Sequence, residues 1–514
     1  MSGSNHSKAL APSRTVAVIG SGAMGAGIAQ VAAAAGYSVQ LFDTRTEAVA
    51  KAIADIGGMF DKLAGKGRMT ADQARAATAR LRPTAALSEL AEAGLVVEAI
   101  VENLDVKRKL FADLEAVVAD DCIFASNTSS ISITSIGAAL RLPQRLVGMH
   151  FFNPVPLMAL VEIISGLASD AAVAECVYDT ALAWGKNPVH TKSTPGFIVN
   201  RVARPYYAEA LRILNEQAAE PATIDAILRE AGGFRMGPFE LMDLIGHDVN
   251  FAVTQSVFNA YFTDPRFTPS LIQQELVNAG FLGRKSGRGF YRYGADAVVP
   301  TPVTEAAVER ASQAVQLSGT SQLAEALAAR LGNVSIERSS TPGADGLVLQ
   351  CGNARAYLTD GRSATQRTAD NRHADTVLID LALDFSKATR VAVTRADQCS
   401  DAAYSSIVAL LQAAGFAVSR LDDVPGMAVM RTVAMLANEA ADTVNQGVCS
   451  AADADMAMQK GVNYPRGPLA WADAIGLDTI AEVLSHLAAA YGEDRYRVSP
   501  LIMRKTASKG QFHG

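Results

Sequence analysis

The chain has 514 residues, 49% hydrophobic and 19% charged, with a net charge of −6. At roughly 100–200 residues per domain, this length implies about three or four domains. The apolar content is enough to offset the entropy of ordering, which excludes intrinsic disorder, and the slight negative balance excludes a general nucleic-acid binder.

The opening, Met1 to Arg14, is polar and lacks the apolar core of a signal peptide. A short β-branched run follows, Thr15-Val-Ala-Val-Ile-Gly20, and reads as a buried parallel strand. It enters Gly20-Ser21-Gly22-Ala23-Met24-Gly25 and then a stretch of helical spacing. In such a turn the first glycine allows the tight bend, the second lets the backbone approach a pyrophosphate, and the third allows close helix packing. A second strand, Ser38 to Phe42, ends at Asp43, 23 residues past Gly20. An acid at that distance accepts hydrogen bonds from a ribose 2′-hydroxyl and repels a 2′-phosphate, so NAD is expected rather than NADP, with Arg45 close by.

Further strands are expected at Gly94–Ile100, Cys122–Ser126 and Arg145–Met149, with a helix around Val106–Ala119. This alternation predicts a Rossmann-like, doubly wound parallel sheet with its ligand at the carboxyl ends of the strands. Glu102, Asn127, Ser129 and His150 all fall just past expected strand ends, at that rim. His150 enters a segment stiffened by Pro154 and Pro156, and Glu162 lies twelve residues on within the apolar run Leu160–Ile164. A buried carboxylate needs a partner, and a histidine would supply it while having its tautomer fixed.

The five cysteines, Cys122, Cys176, Cys351, Cys399 and Cys449, form no C-x-x-C pair, as expected of free thiols in a reducing compartment without a metal site. No stretch reaches the ~18 uninterrupted apolar residues of a membrane helix, so a soluble cytoplasmic protein without a membrane partner is expected.

Several motifs together resemble the L-3-hydroxyacyl-CoA dehydrogenase family: Val97–Asn103, Ala125–Ser130, Gly148–Pro156, Thr194–Arg201 and Gly237–Asp243. The resemblance runs from about residue 13 to 294 and returns near the C-terminus. It implies an NAD-dependent oxidation of an L-3-hydroxyacyl-CoA to its 3-oxo product, with His150 as general base and Glu162 as its partner. It further implies that Ser129 and Asn200 contact the substrate oxygen and orient the histidine. Glu102, Lys107, Asn127 and Ser129 resemble groups around the cofactor, beside Gly20, Gly22, Ala23, Met24, Gly25 and Asp43. Lys107, followed by Arg108 and Lys109, reads equally well as part of a solvated helix face. The phosphates of CoA call for cations, and Lys51, Lys62, Lys66 and Arg68 lie where the family binds CoA, with Lys62 and Lys66 the expected substrate contacts.

An offset of 230 residues aligns Pro195-Gly196 with Pro425-Gly426, Arg201 with Arg431, Glu209 with Glu439 and Asp243 with Asp473. Two copies of a helical domain are therefore expected. Asn200 becomes Met430 in the second, which cannot hydrogen-bond a substrate oxygen and so reads as structural. Between them, strands are expected at Gly346–Gln350, Asp375–Asp380, Thr389–Thr394 and Gly415–Ser419, without a glycine turn. The resulting layout is a tail at 1–12, an NAD-binding Rossmann-like domain at 13–195, a helical domain at 196–294, a degenerate Rossmann-like domain at 295–422, and a second helical copy at 423–514. The two helical copies would pair as an intra-chain pseudo-dimer, with a homo-oligomer also possible. This layout resembles bacterial members acting on 3-hydroxyadipyl-CoA in phenylacetate catabolism. A 3-hydroxybutyryl-CoA enzyme, a dehydrogenase of free β-hydroxy acids, and a non-catalytic, crystallin-like NAD-binding protein remain alternatives.

Overall fold

A computed structural model describes residues 8–298, 300–309, 313–332 and 334–514. The first seven residues of the expected tail and Val299 of the linker-like stretch Ala297–Pro302 lie outside the described residues. From Lys8 onward the chain is anchored: Lys8 N–H donates to Asp179, and Leu10, buried, donates to Thr180 and accepts from the Tyr37 hydroxyl.

The chain divides into two compact units, one made of residues up to Arg201 with Gln446–Val462, the other of Val202–Asn445 with Asn463–Gly514. The first holds an eight-stranded sheet: β1 Thr15–Ile19, β2 Val39–Phe42, β3 Leu81–Thr84, β4 Ala93–Glu98, β5 Ile123–Ser126, β6 Leu146–Phe151, β7 Leu160–Ser165 and β8 Asn187–Lys192. Its order is β3-β2-β1-β4-β5-β6-β7-β8. The expected all-parallel arrangement holds for β1 to β6 only, because β7 returns antiparallel to β6 and β8 then follows β7 in parallel. A short Pro-containing connection, residues 152–159, joins β6 to β7, and a short link allows an antiparallel return where a parallel one needs a longer crossover. One consequence is that His150 lies inside β6, paired in register with Glu162, rather than past the strand's end.

Alternation along β1 builds both faces. Val16 and Val18 pack with helix Ala23–Ala34 and Trp184, while Ala17 and Ile19 pack with Phe111, Leu114 and Phe124. Burying each large apolar side chain contributes about 1.5–3 kcal/mol. Cys122 is fully buried in the second layer, and burial pushes its thiol up to about 12 despite Arg145 nearby. Iodoacetamide at pH 8 should therefore leave Cys122 unlabelled until denaturant is added; rapid labelling of the native protein, read by mass spectrometry, would contradict this packing.

Helix Ala451–Gly461 also belongs to the first unit and packs on β7 and β8. Lys192 N–H donates to Val448 O at 2.9 Å, and a Cβ on Gly461 would stand 2.5 Å from Leu160 Cδ2, so the helix approaches closely where it meets the sheet.

The second unit contains a seven-stranded mixed sheet: β9 Val315–Ser318, β10 Ile336–Ser339, β11 Leu347–Cys351, β12 Ala354–Leu358, β13 Thr376–Ile379, β14 Arg390–Arg395 and β15 Ala417–Arg420. Their order is β10-β9-β11-β12-β13-β14-β15. Beside it, helices Arg204–Asn215 and Val429–Asn445 pack together around a buried ionic knot. Arg431 Nε meets Glu209 Oε2 at 2.7 Å, both side chains fully buried, and the Tyr496 hydroxyl donates to the same oxygen. Burial alone would raise Glu209, but Arg495 and Arg431 outweigh it and hold the carboxyl below its ordinary value. Among the described residues no helix is long and apolar enough to cross a membrane.

Candidate active site

The turn after β1 is shaped for a phosphate. Gly20 has φ +104°, and a Cβ there would lie 2.4 Å from Ala99 O, so both conformation and space demand glycine. Around Gly22 a Cβ would meet nothing within 4 Å, which leaves the backbone open to a ligand. Helix Ala23–Ala34 starts there with no side-chain cap, so the first N–H groups, from Ala23, Met24 and Gly25, remain for an anion. Gly22→Ala should fold normally, since nothing crowds its Cβ, yet weaken NADH binding by at least about tenfold. An unchanged Kd by fluorescence titration would remove the turn from the binding site.

Asp43, at the end of β2, faces the same turn. Its Oδ2 accepts from Ser21 N–H at 2.8 Å and from the Ser21 hydroxyl at 2.9 Å, and Oδ1 accepts from Arg45 N–H at 3.1 Å. Burial raises this carboxyl, but these hydrogen bonds and Arg45 outweigh it and the group stays below its usual range. It is therefore a charged acceptor at neutral pH, with lone pairs left for a hydroxyl partner.

At the ends of β4 and β5 two carboxylates organise the rim. Glu98, wholly buried, accepts from Lys107 Nζ at 2.6 Å, from the Ser126 hydroxyl at 2.6 Å and from Ile100 N–H at 2.8 Å. Glu102 Oε1 collects the Thr128 hydroxyl at 2.6 Å and the N–H groups of Ser129 and Ser130 at 3.0 and 3.1 Å. Burial raises Glu102, but Thr128, Lys107 and Ser130 together hold it below its ordinary value.

Lys107 requires a correction. It is neither on a solvated face nor open to a cofactor: the side chain is 1% exposed, and its ammonium is committed to Glu98 and, at 3.3 Å, to Glu102 Oε2. Ser129 is half-buried, and its hydroxyl has only a long 3.4 Å contact to Glu102. Asn127 uses its Oδ1 to accept from Phe151 N–H at 2.9 Å, fixing the strand beside His150 and leaving its amide NH2 for other partners.

His150 Nδ1 stands 2.7 Å from Glu162 Oε2, the histidine nearly buried and the glutamate fully so. The carboxylate accepts from Nδ1–H, an assignment made from the hydrogen-bond network, and this leaves the Nε2 lone pair free. No hydrogen-bond partner of Nε2 occurs among the described residues. Glu162 Oε1 accepts from the N–H groups of Ile198 and Val199, both at 3.0 Å. One carboxylate thus orients the imidazole and pins the start of the short helix Val199–Val202, which carries Asn200. Asn200 is half-buried and its amide is unpaired among the described residues. Phe152 and Phe197 cover the imidazole, with ring centroids at 4.6 and 5.9 Å.

After β6 the chain passes through a cis Asn153–Pro154 bond, and Lys186 Nζ holds the loop by donating to Val155 O at 2.5 Å and Met158 O at 2.8 Å. This loop forms one wall of a cleft of about 600 Å3, with Gly22, Gln30, Arg45 and Lys51 on the other side. Lys62 and Lys66, the expected substrate contacts, are exposed at the far end of helix Thr46–Gly65 and do not line it. Gln30 was not singled out as a ligand contact, because in sequence nothing separates it from an ordinary helix residue; Arg45 was noted only for its place beside Asp43.

Residues 15–194 match the 3-hydroxyacyl-CoA dehydrogenase NAD binding domain, and residues 196–293 and 426–513 match that family's C-terminal domain. A third match, at 356–425, is the 3-hydroxybutyryl-CoA dehydrogenase reduced Rossmann-fold domain. The chain belongs to the 3-hydroxyacyl-CoA dehydrogenase family, whose members are NAD-dependent oxidoreductases. It is 45% identical to the 3-hydroxyadipyl-CoA dehydrogenase of Escherichia coli, over 96% of this chain and 97% of that protein. A crystal structure described as 3-hydroxybutyryl-CoA dehydrogenase from Escherichia coli superposes with TM-score 0.88 at 44% identity, covering 96% and 98% of the two chains. The mitochondrial hydroxyacyl-coenzyme A dehydrogenase of Sus scrofa is 42% identical over 54% of this chain and 90% of its own length.

Proposed function

We propose that the chain oxidises the 3-hydroxyl of an L-3-hydroxyacyl-CoA, with NAD preferred over NADP, and that His150 Nε2 takes the hydroxyl proton. The observation that carries this reading is the buried His150–Glu162 pair with Nε2 left unpartnered among the described residues. As the proton leaves O3, the imidazole becomes cationic, and Glu162 stabilises that charge at 2.7 Å. Asn200 and Ser129, with polar groups not committed to strong internal bonds, contact the substrate oxygen. The Gly20–Gly25 turn and its helix N-terminus would hold the dinucleotide pyrophosphate, and Asp43 the ribose. A bound NAD would accept the hydride from C3. Arg45 and Lys51, rather than Lys62 and Lys66, would meet the CoA phosphates in the cleft. The relative at 45% identity supports a dicarboxylic acyl chain such as 3-hydroxyadipyl. NADH formation with a panel of L-3-hydroxyacyl-CoA thioesters tests the reading, and no turnover on any of them would overturn it.

We also propose that the two halves are duplicated copies forming an intra-chain pseudo-dimer, divided at 13–195, 196–294, 295–422 and 423–514. The 230-residue offset continues back to β6 and β7, where His150 becomes Asp380 and Glu162 becomes Ala392. Asp380 accepts from Ala428 and Val429 N–H at 2.9 and 2.7 Å, the counterparts of the two N–H groups held by Glu162. The second half thus keeps the helix anchor on the neighbouring strand and lacks the base. Two bonds also recur reciprocally under the same offset. Lys192 N–H to Val448 O in the first unit mirrors Asp422 N–H to Ala218 O in the second. Arg201 to Gln446 mirrors Arg431 to Glu216. Such exchange of i with j and j with i is the mark of an isologous two-fold interface. A soluble, monomeric 1–294 fragment on gel filtration would count against the pseudo-dimer. The free cysteines fit a cytoplasmic setting.

A further inference from the structure

The second unit carries a pocket of about 260 Å3 beside helix Arg204–Asn215, and one cation on its wall has no counter-charge. Four arginines line it. Arg266 pairs with Glu439 and Asp442, Arg212 with Glu216 and Glu493, and Arg495 with Glu209. Arg204 is different. It is 5% exposed, its Nη1 donates to the Thr254 hydroxyl at 3.1 Å, and its guanidinium lies 4.9 Å from the Tyr207 ring centroid. Its Nε has no hydrogen-bond partner, and no carboxylate pairs with it among the described residues. Burial pushes the group down, yet a guanidinium remains protonated in proteins. A buried charge without a partner is costly and persists where a ligand supplies the partner.

The surroundings narrow the ligand class. Tyr207, Leu211 and Phe267 give the pocket apolar wall, while the planar guanidinium fork matches a carboxylate in two parallel hydrogen bonds. We propose that this pocket binds an aliphatic carboxylate on Arg204. The ligand is a free aliphatic carboxylate, and adipate serves as its probe.

Arg204→Met and Arg204→Lys test this. Removing an unpaired cation orphans no carboxylate, so both variants should keep the wild-type Tm in the absence of ligand. Adipate raises the Tm of wild type and not of Arg204→Met, with a smaller rise in the Lys variant. The proposal is overturned if adipate gives no rise in Tm or a rise that does not depend on residue 204.

Discussion

Replacing His150 by alanine lowers kcat by roughly 10²–10⁴-fold, the range spanned by loss of a positioned general base. NADH affinity should stay at the wild-type value, because the dinucleotide turn is built from β1, its helix and Asp43, none of which depends on the imidazole. Glu162→Gln should fall between the two. The amide can keep an acceptor for Ile198 and Val199, but it loses the charge that stabilises the imidazolium. Steady-state kinetics beside fluorescence titration of NADH separates these effects. A His150→Ala enzyme with near wild-type kcat would end the assignment.

Lys107→Met should destabilise the protein by about 3–5 kcal/mol, the cost of breaking a buried pair from one side. Lys107 and Glu98 are 1% and 0% exposed, and without the ammonium Glu98 retains only the Ser126 hydroxyl and Ile100 N–H. The expected fall in Tm is about 6–20 °C, read by circular dichroism. Adding Glu98→Gln should restore much of it, since no buried charge then lacks a partner. A loss of less than about 1 kcal/mol from the single variant would contradict a buried, mutually dependent pair.

The turn from Gly20 to Gly25 and the acid at the end of β2 were legible in the sequence because they are local: strand, turn and helix follow one another and fix their own geometry. His150 and Glu162 were legible as a pair because a carboxylate in an apolar run needs a partner, but the antiparallel return of β7 that sets them on facing positions was not, since alternation of strand and helix reads as parallel. Lys107 was not. Its spacing from Arg108 and Lys109 looks like a solvated face, and only the tertiary contact with β4 turns it inward beneath Glu102. Lys62 and Lys66 lie outside the cleft beside the glycine turn because helix Thr46–Gly65 is long enough to carry its last turn away from the wall that holds Arg45 and Lys51. The strands of the second sheet that went unread, β9, β10 and β12, are four or five residues long and include polar or charged positions, which blunts a hydrophobic signal.

The bond from Lys192 to Val448 also bears on synthesis of the chain. β8 is the last strand of its sheet, and the helix that packs against it emerges some 250 residues later. At ribosomal speeds of about 5–20 residues per second, that interval is roughly 12–50 s. Throughout it the nascent NAD-binding half presents a bare strand edge, a template for pairing with other chains. Pairing through that edge while the chain is being made is then a route to aggregation that the finished fold narrows once Lys192 bonds Val448.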